Sequence, residues 1–515
     1  MRTTLLRCLR TPSALSLACA GVVALPAGAQ DVVAARDGTF RPSIAAEGSY
    51  LETRSRPDST NGHEAVMRLS PGLHWTSRTG RIQGEADYLG DLLFRRGRSS
   101  TEGSDYQNAL NARVLAEAVP NRVGVEANAS VTQQAISAFG EQAVPGAVPP
   151  DANRTEVSTV RVSPYARGHL GSAADYEMNL AAGRSHTRSG DTPDSRTTEA
   201  RFSLSGPRGA RLGWNVTASQ QRVESISPAV TDASENIRLR LALTAAPMPQ
   251  LRLSVSGGEE SIDEGALAKR RTEKNAGVGL QWSPSLRTQL SADIERRHFG
   301  NGGRINFSHR GPQTVLTYAF SRDTTFGIDG TAGGAPATLF QLAFAQAASQ
   351  YPDPVERELA VLADLLSRGL DPNQVVTVPV LGPAFSLQQR QDLSFAWLGR
   401  RTSLNVAAFT SWTSQFVARP NDTPLADDPV RQRGYSATLS YRLTPFSALS
   451  LGGQRRMTQA STHGAANDLK SADLGLTSQL GRRTTARVDV RYSVFNSPTD
   501  PYRTTSVSAS ISERF

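Results

Sequence analysis

The chain has 515 residues, 38% of them hydrophobic, and a formal net charge of +9. Its mean hydropathy is negative. Both cysteines, Cys8 and Cys19, lie within the first 29 residues, so the rest of the chain excludes disulfides, thiol catalysis, iron–sulfur clusters and cysteine-ligated zinc.

Residues 1–29 have the form of a secretory signal peptide. Arg2, Arg7 and Arg10 make a basic start, Ala14 to Leu25 is an apolar run too short to span a bilayer, and Ala27-Gly28-Ala29 is a small-x-small cleavage site. Lipidation at Cys19 is the alternative, but Ser16 stands where an aliphatic is usual, and half the apolar run would lie beyond the cut. Without the three signal arginines the charge excess falls to +6. Basic side chains at loop tips account for it, and an anion-attracting lumen is the sharper account. No window after Ala29 reaches eighteen apolar residues, so no transmembrane helix is predicted.

Strand-like segments follow almost without interruption. The first five are predicted at Phe40–Thr53, His63–Ser77, a third running to Phe94, Tyr106–Ala118 and Arg122–Ile136. In the fifth, Val123, Val125, Ala127, Ala129 and Val131 alternate with Glu126, Asn128, Ser130 and Thr132, the period of a half-buried strand. A Gly/Pro stretch, Gly140 to Asn153, precedes strands at Thr155–Ala166, Asp175–Thr187 and Arg196–Ser205. The ninth to thirteenth carry the apolar alternations Leu212/Trp214/Val216, Ile237/Leu239/Leu241/Leu243, Leu251/Leu253/Val255, Val278/Leu280/Trp282 and Leu290/Ala292/Ile294. The fourteenth and fifteenth are Arg304–Arg310 and Thr314–Thr325.

The rhythm then breaks. Phe326 to Ala384 is a long insertion with one predicted helix. Asp353 caps it, Pro354 takes its first position, Val355, Leu359, Leu362 and Leu366 form an apolar stripe, and Gly369 stops it. The stripe must lie against something, and folding inward as a pore gate or plug is the expectation. Strands resume at Phe385–Trp397, around Leu404 to Trp412 and Tyr435 to Leu443, at Ser447–Gln459 and Leu469–Leu480, and around Ala486 to Val494.

The final strand, Arg503 to Phe515, sets Val507, Ala509, Ile511 and Phe515 on one face and Ser506, Ser508, Ser510 and Ser512 on the other. An apolar-faced strand ending the chain on an aromatic is how outer-membrane barrels close, and it serves as a signal to the barrel-assembly machinery. Glu513 departs from that pattern. The strands number about twenty-two, an even count. Turns after even strands (Thr79-Gly80, Pro120-Asn121, Gly171-Ser172, Ser283-Pro284, Gly311-Pro312) are brief, while connections after odd strands are mostly longer. The predicted fold is therefore an all-β transmembrane antiparallel barrel with short periplasmic turns and one long helix-containing outer loop. A soluble propeller would show a blade-length repeat and no one-sided loops.

No catalytic or metal constellation stands out, and no cofactor or nucleic-acid partner is expected. His298 with Asp293 and Glu295 offers only local spacing. The glycines at Gly330, Gly333 and Gly334 lack the strand–helix junction of a phosphate cradle. Trp75, Trp282, Trp397 and Trp412 lie near strand ends, where indoles suit the headgroup region. Arg211, Arg238, Arg240 and Arg252, with Asp293, Glu295 and Arg297, form a candidate lumen charge ladder. They either pair with one another to stiffen the wall or line an eyelet for an anionic solute.

Several short motifs resemble the outer-membrane barrels associated with the PEP-CTERM/exosortase system: Asn153-Arg154 with Ser163-Pro164-Tyr165, Trp282-Ser283-Pro284-Ser285 with Arg287-Thr288 and Leu290, Glu295-Arg296-Arg297 with Phe299-Gly300, and His309-Arg310. The resemblance is densest from about 150 to 325. It implies a bacterial outer-membrane location, lipid contact and partners in exopolysaccharide export. It brings no catalytic residues. A channel or scaffold for that export is the first expectation. A general or solute-selective porin and a non-conducting structural or adhesive barrel are the alternatives.

Overall fold

A computed structural model of the protein describes residues 39–55, 62–77, 80–97, 106–140, 153–188, 194–207, 211–226, 231–263, 270–326, 361, 385–415, 429–460, 466–481, 483–498 and 501–515. The signal peptide and the helix with Val355, Leu359, Leu362 and Leu366 lie outside the described residues.

Among the described residues twenty-two strands run in chain order. The first eleven are β1 (Thr39–Ser55), β2 (Gly62–Ser77), β3 (Ile82–Gly97), β4 (Tyr106–Val119), β5 (Val123–Ala135), β6 (Arg154–Leu170), β7 (Ala174–Thr187), β8 (Asp194–Ser205), β9 (Leu212–Ile226), β10 (Thr231–Met248) and β11 (Leu251–Asp263). The rest are β12 (Arg271–Ser285), β13 (Thr288–Arg297), β14 (Gly300–Arg310), β15 (Thr314–Phe326), β16 (Phe385–Leu398), β17 (Thr402–Gln415), β18 (Val430–Arg442), β19 (Ser447–Ala460), β20 (Ala466–Gln479), β21 (Thr484–Asn496) and β22 (Tyr502–Arg514). Each pairs antiparallel with its sequence neighbours, and β22 pairs with β1, so one sheet of 22 strands closes on itself. Closure leaves no edge, which is what a sheet needs where no water can satisfy free backbone groups.

The seam joins the chain's first and last strands, with Gly48 opposite Ala509, Tyr50 opposite Val507 and Leu51 opposite Ser506. The backbone N–H of Phe515 donates to Pro42 O at 3.0 Å, extending the ladder one residue past the strand. Side chains alternate as the sequence pattern requires. Val507, Ala509, Ile511, Glu513 and Phe515 are exposed on the outside, whereas Ser506, Ser508, Ser510 and Ser512 are half-buried and face the lumen. The same parity turns Leu239, Leu241 and Leu243 outward on β10 and Leu449 and Leu451 outward on β19, all exposed. An apolar outer belt over a polar interior is the inverse of a soluble barrel and matches lipid outside, water inside. Phe40, Trp75, Phe446 and Phe515 mark the short-turn edge of the belt, and Phe40 and Trp75 lie 6.3 Å apart between ring centroids.

Most boundaries move by one or two residues, β6 runs four residues past the predicted Ala166, and two further differences have a local cause. The turn predicted at Ser283-Pro284 falls at Leu286–Arg287, because β12 continues to Ser285 through a register shift. Ser283 N–H still bonds Gln250 O at 2.8 Å, and Pro284, with no N–H to give, is tolerated at the irregularity. β14 begins at Gly300 rather than Arg304. Gly300 has φ +92, a conformation natural only to glycine, and it closes a two-residue hairpin with His298 and Phe299. That hairpin lies on the long-loop side and is the exception to the asymmetry of the connections.

Candidate functional site: the charged side lobe and the lumen mouth

The lumen-facing residues of β10 to β15 carry most of the predicted charge ladder. Parity points Arg238 and Arg240 inward from β10, Glu260 from β11, Asp293, Glu295 and Arg297 from β13, and Asp323 from β15. Arg240 donates to Asp293 Oδ2 at 2.9 Å and makes an ion-pair contact with Glu295 Oε1 at 2.6 Å, and Arg238 bonds the other oxygen of Glu295. Arg297 bridges Glu260 and Asp323. Glu260 also accepts from Asn236 Nδ2 at 3.0 Å and lies 3.2 Å from His298 Nδ1. The side chains of Glu260 and Arg297 are only 1% and 5% exposed, so their charges depend on these partners rather than on water.

These contacts require a particular wall. From β10 to β13 there are three inter-strand steps of about 4.8 Å each, close to the combined reach of Arg and Glu. Of the two intervening strands, β12 is stripped of side chains where they would obstruct. A Cβ on Gly277 would strike Cγ of Glu295, and one on Gly279 would come 3.2 Å from Asp293 Oδ2. The wall also bends sharply. β9 and β15, six strands apart in the ring, come within 8 Å between Cα atoms. On a circular barrel of this strand number that chord would be roughly 30 Å. Strands β9 to β15 therefore form a narrow side lobe, and the ion pairs fill it.

Arg211 and Arg252 stand apart from the ion-pair cluster. Arg211 precedes β9 at the short-turn rim, where its carbonyl accepts from Ala246 N–H at 2.8 Å. Arg252 faces inward opposite Gln281, six residues along β11 from the Gly258 that faces Arg240, or about 20 Å down the wall. His298 meets Glu260 rather than Asp293 or Glu295. Among the described residues no three metal-ligating side chains come together. Glu260, Asp323 and Asn236 were missed by sequence reasoning. Their signal was inward parity at matched height on neighbouring strands, together with the Gly277-Val278-Gly279 alternation.

The second feature is at the mouth. The connection after β5 is pinched shut by Asn153, whose side-chain amide replaces a strand partner. Ser137 N–H donates to Asn153 Oδ1 at 2.9 Å, Asn153 Nδ2 donates to Ser137 O at 2.9 Å, and Ile136 N–H donates to Asn153 O at 3.0 Å. Just beyond this neck, Ala138 O accepts from Asn467 Nδ2 of β20 at 3.0 Å. β20 and β5 are seven strands apart through the seam, so this connection reaches inside the mouth to another sector of the wall. Asn467 and Ala138 are both buried. Two residues along the same face of β20, Leu469 begins a buried row that continues directly across to Phe495 and Tyr502. A lumen-facing apolar row is unusual in a wet interior, and it lies next to the point where the connection docks.

A third inward group is polar. Arg487 chelates Asp489 on β21 through Nε at 2.6 Å and a terminal nitrogen at 2.7 Å, over the bare position of Gly475. On the opposite flank Arg390 pairs with Asp392 at 2.7 Å and lies 5.4 Å over the Phe409 ring.

No protein-family model matches the sequence, and neither does any curated protein. Among solved structures, the FrpB iron transporter from Neisseria meningitidis (F5-1 variant) aligns over 92% of this chain and 82% of its own, at 10% identity and a TM-score of 0.48. The siderophore receptor PirA from Acinetobacter baumannii aligns over 92% and 80%, at 9% identity and TM-score 0.45. Pseudomonas aeruginosa OpdQ aligns over 92% and 99%, at 11% identity and TM-score 0.33. On its own geometry, the chain is a closed 22-stranded transmembrane β-barrel with a charged side lobe and a tethered connection in its mouth.

Proposed function

We propose that the chain is a channel of the bacterial outer membrane, and that the polymer it serves is an exopolysaccharide. The observation that carries the channel reading is the inner face of the closed ring, built of hydroxyls, amides and paired charges such as Ser506 to Ser512, Arg487–Asp489 and Arg240–Asp293. A closed sheet of this size whose inside is polar has a lumen for water and solute rather than for a side-chain core. The exopolysaccharide assignment rests on the resemblance of Asn153-Arg154, Glu295-Arg296-Arg297 and the related motifs to exopolysaccharide-linked barrels. Hydroxyls and paired charges are also a surface that a sugar polymer can slide along without being held by one strong field.

The neutralised lobe favours a second reading, a porin of weak charge selectivity. Arg238, Arg240 and Arg297 all spend their charge on carboxylates of the same wall. Reconstitution into planar bilayers tests the channel, with the reversal potential in a KCl gradient giving its ion selectivity. Discrete conductance steps are expected. A folded barrel that gives none, with or without residues 327–384, would instead be a structural or adhesive barrel. Loss of surface polysaccharide on deletion of the gene distinguishes polymer export from a general porin.

A further inference from the structure

The outward face near the long-loop rim carries a row of cations on β18 to β22 and β1. Arg455 stands directly opposite Lys470, Lys470 opposite Val494, Val494 opposite Arg503, and Arg503 opposite Arg54. Arg433 sits above the start of the row, two residues beyond Tyr435, which is itself opposite Arg455. All five share the lipid-facing parity of their strands.

Their height is set by what lies below. Beneath Lys470 on the same face come Ala472, Leu474 and Leu476, beneath Arg455 come Gly453 and Leu451, and beneath Arg503 come Thr505 and Val507. Tyr435, Tyr492 and Tyr50 form a girdle of exposed phenols at the boundary. The cations therefore begin where the hydrocarbon belt ends, at headgroup level.

The charge in the row is not balanced among the described residues. Asp468 is clamped by Arg455 at 3.0 Å and Lys470 at 3.2 Å, and Glu52 is taken by Arg54 at 2.7 Å. Among the described residues these five cations thus face two carboxylates. Like charges directly opposite on neighbouring strands repel, and Glu52 offsets only one charge of the Arg503–Arg54 pair. Elsewhere on the same rim Arg184 has Asp194 at 3.5 Å and Arg222 has Glu224 at 3.0 Å. Asp468 also pre-orders two of the cations, so little side-chain freedom is left to lose on binding.

We infer that the row Arg433, Arg455, Lys470, Arg503 and Arg54 is a docking site for the phosphate of an anionic lipid headgroup in the leaflet at the long-loop rim. Guanidinium and ammonium donors match phosphate oxygens, and the apolar wall below receives the acyl chains. The site is independent of whether the lumen conducts.

The test uses the purified full-length barrel in neutral detergent, titrated with phosphatidic acid, with zwitterionic phosphatidylcholine and with inorganic phosphate. The wild type is expected to bind phosphatidic acid in preference to the other two, and more weakly as ionic strength rises. The double variant Lys470→Gln/Arg503→Gln should bind it about thirtyfold more weakly, the effect of two interfacial cations. Arg222→Gln, on another sector of the rim, should bind as wild type. Equal affinity of the double variant and wild type overturns the site. Inorganic phosphate binding as tightly as the lipid overturns the lipid assignment. Folding is checked by heat-modifiable migration on gels. If the double variant does not fold, Arg433→Gln alone and the salt titration of the wild type decide, and salt-insensitive binding overturns the proposal.

Discussion

Arg240 on β10 places its guanidinium 2.9 Å from Asp293 and 2.6 Å from Glu295 on β13, across the two intervening strands. This relationship defines the side lobe. Gly277 and Gly279 leave β12 bare beneath the pair, Ser256 of β11 accepts from Arg240 at 3.0 Å, and the wall from β9 to β15 brings the strands close.

The lobe should respond to charge removal asymmetrically. Glu260→Ala strips Arg297 of one of its two carboxylates in a site where the guanidinium has almost no water, and should destabilise the barrel by about 3 kcal/mol. Glu260→Leu combined with Arg297→Met should cost much less, since no unpaired charge remains buried. Urea unfolding in detergent, followed by gel mobility, measures both. A double variant as unstable as the single one would mean that packing rather than charge holds the lobe.

Gly277→Val tests the bare floor directly. Its Cβ would collide with Glu295, so either the strand shifts or the carboxylate leaves Arg240. Loss of about 1–3 kcal/mol is expected from overpacking and a broken ion pair. Val278→Ala, one residue away on the lipid face, should be close to neutral. Similar losses in the two would remove the reason given for the Gly277-Val278-Gly279 pattern.

The mouth can be loosened without touching the wall. Asn467→Ala deletes the tether to Ala138, at a cost of about 1 kcal/mol confined to the connection. Asn153→Ala removes both side-chain bonds of the neck. Each should speed proteolytic nicking between residues 141 and 152. Unchanged nicking in Asn153→Ala would show that the neck is held by other contacts.

The closing strand carries a separate expectation. Glu513 is exposed on the lipid-facing side between Ile511 and Phe515, opposite Ile44 on β1 and Thr484 on β21. A carboxylate there disfavours insertion by a small amount at the rim and more with depth. Glu513→Tyr should therefore insert into liposomes with the assembly machinery at least as fast as wild type. Deletion of Phe515, which removes the Pro42 contact and a girdle ring, should be slower. Equal rates for the deletion would show that this residue is not read during assembly.

Much of the fold was legible in the residues alone, for a simple reason. A strand's period of two puts every other side chain in lipid, so Leu239, Leu241 and Leu243 against Arg238 and Arg240 reveal both the element and its faces. The even number of strands, the seam between the first and the last, and the short turns on one rim follow from counting such segments. The Arg238, Arg240 and Glu295 members of the ladder were visible in the same way, as charges on the inward parity.

Parity does not say which inward residue faces which. That depends on curvature, stagger and closure, which are properties of the whole ring. Only the tertiary structure folds β9 to β15 into a lobe, joins Arg297 to Glu260 and Asp323, leaves Arg211 and Arg252 out of the ion-pair cluster, and carries Ala138 to Asn467 across 329 positions of sequence. Alternation is a local consequence of backbone geometry and is written in each strand. Contacts across a lumen are made between strands that share no hydrogen bond, and they are settled only when the last strand closes on the first.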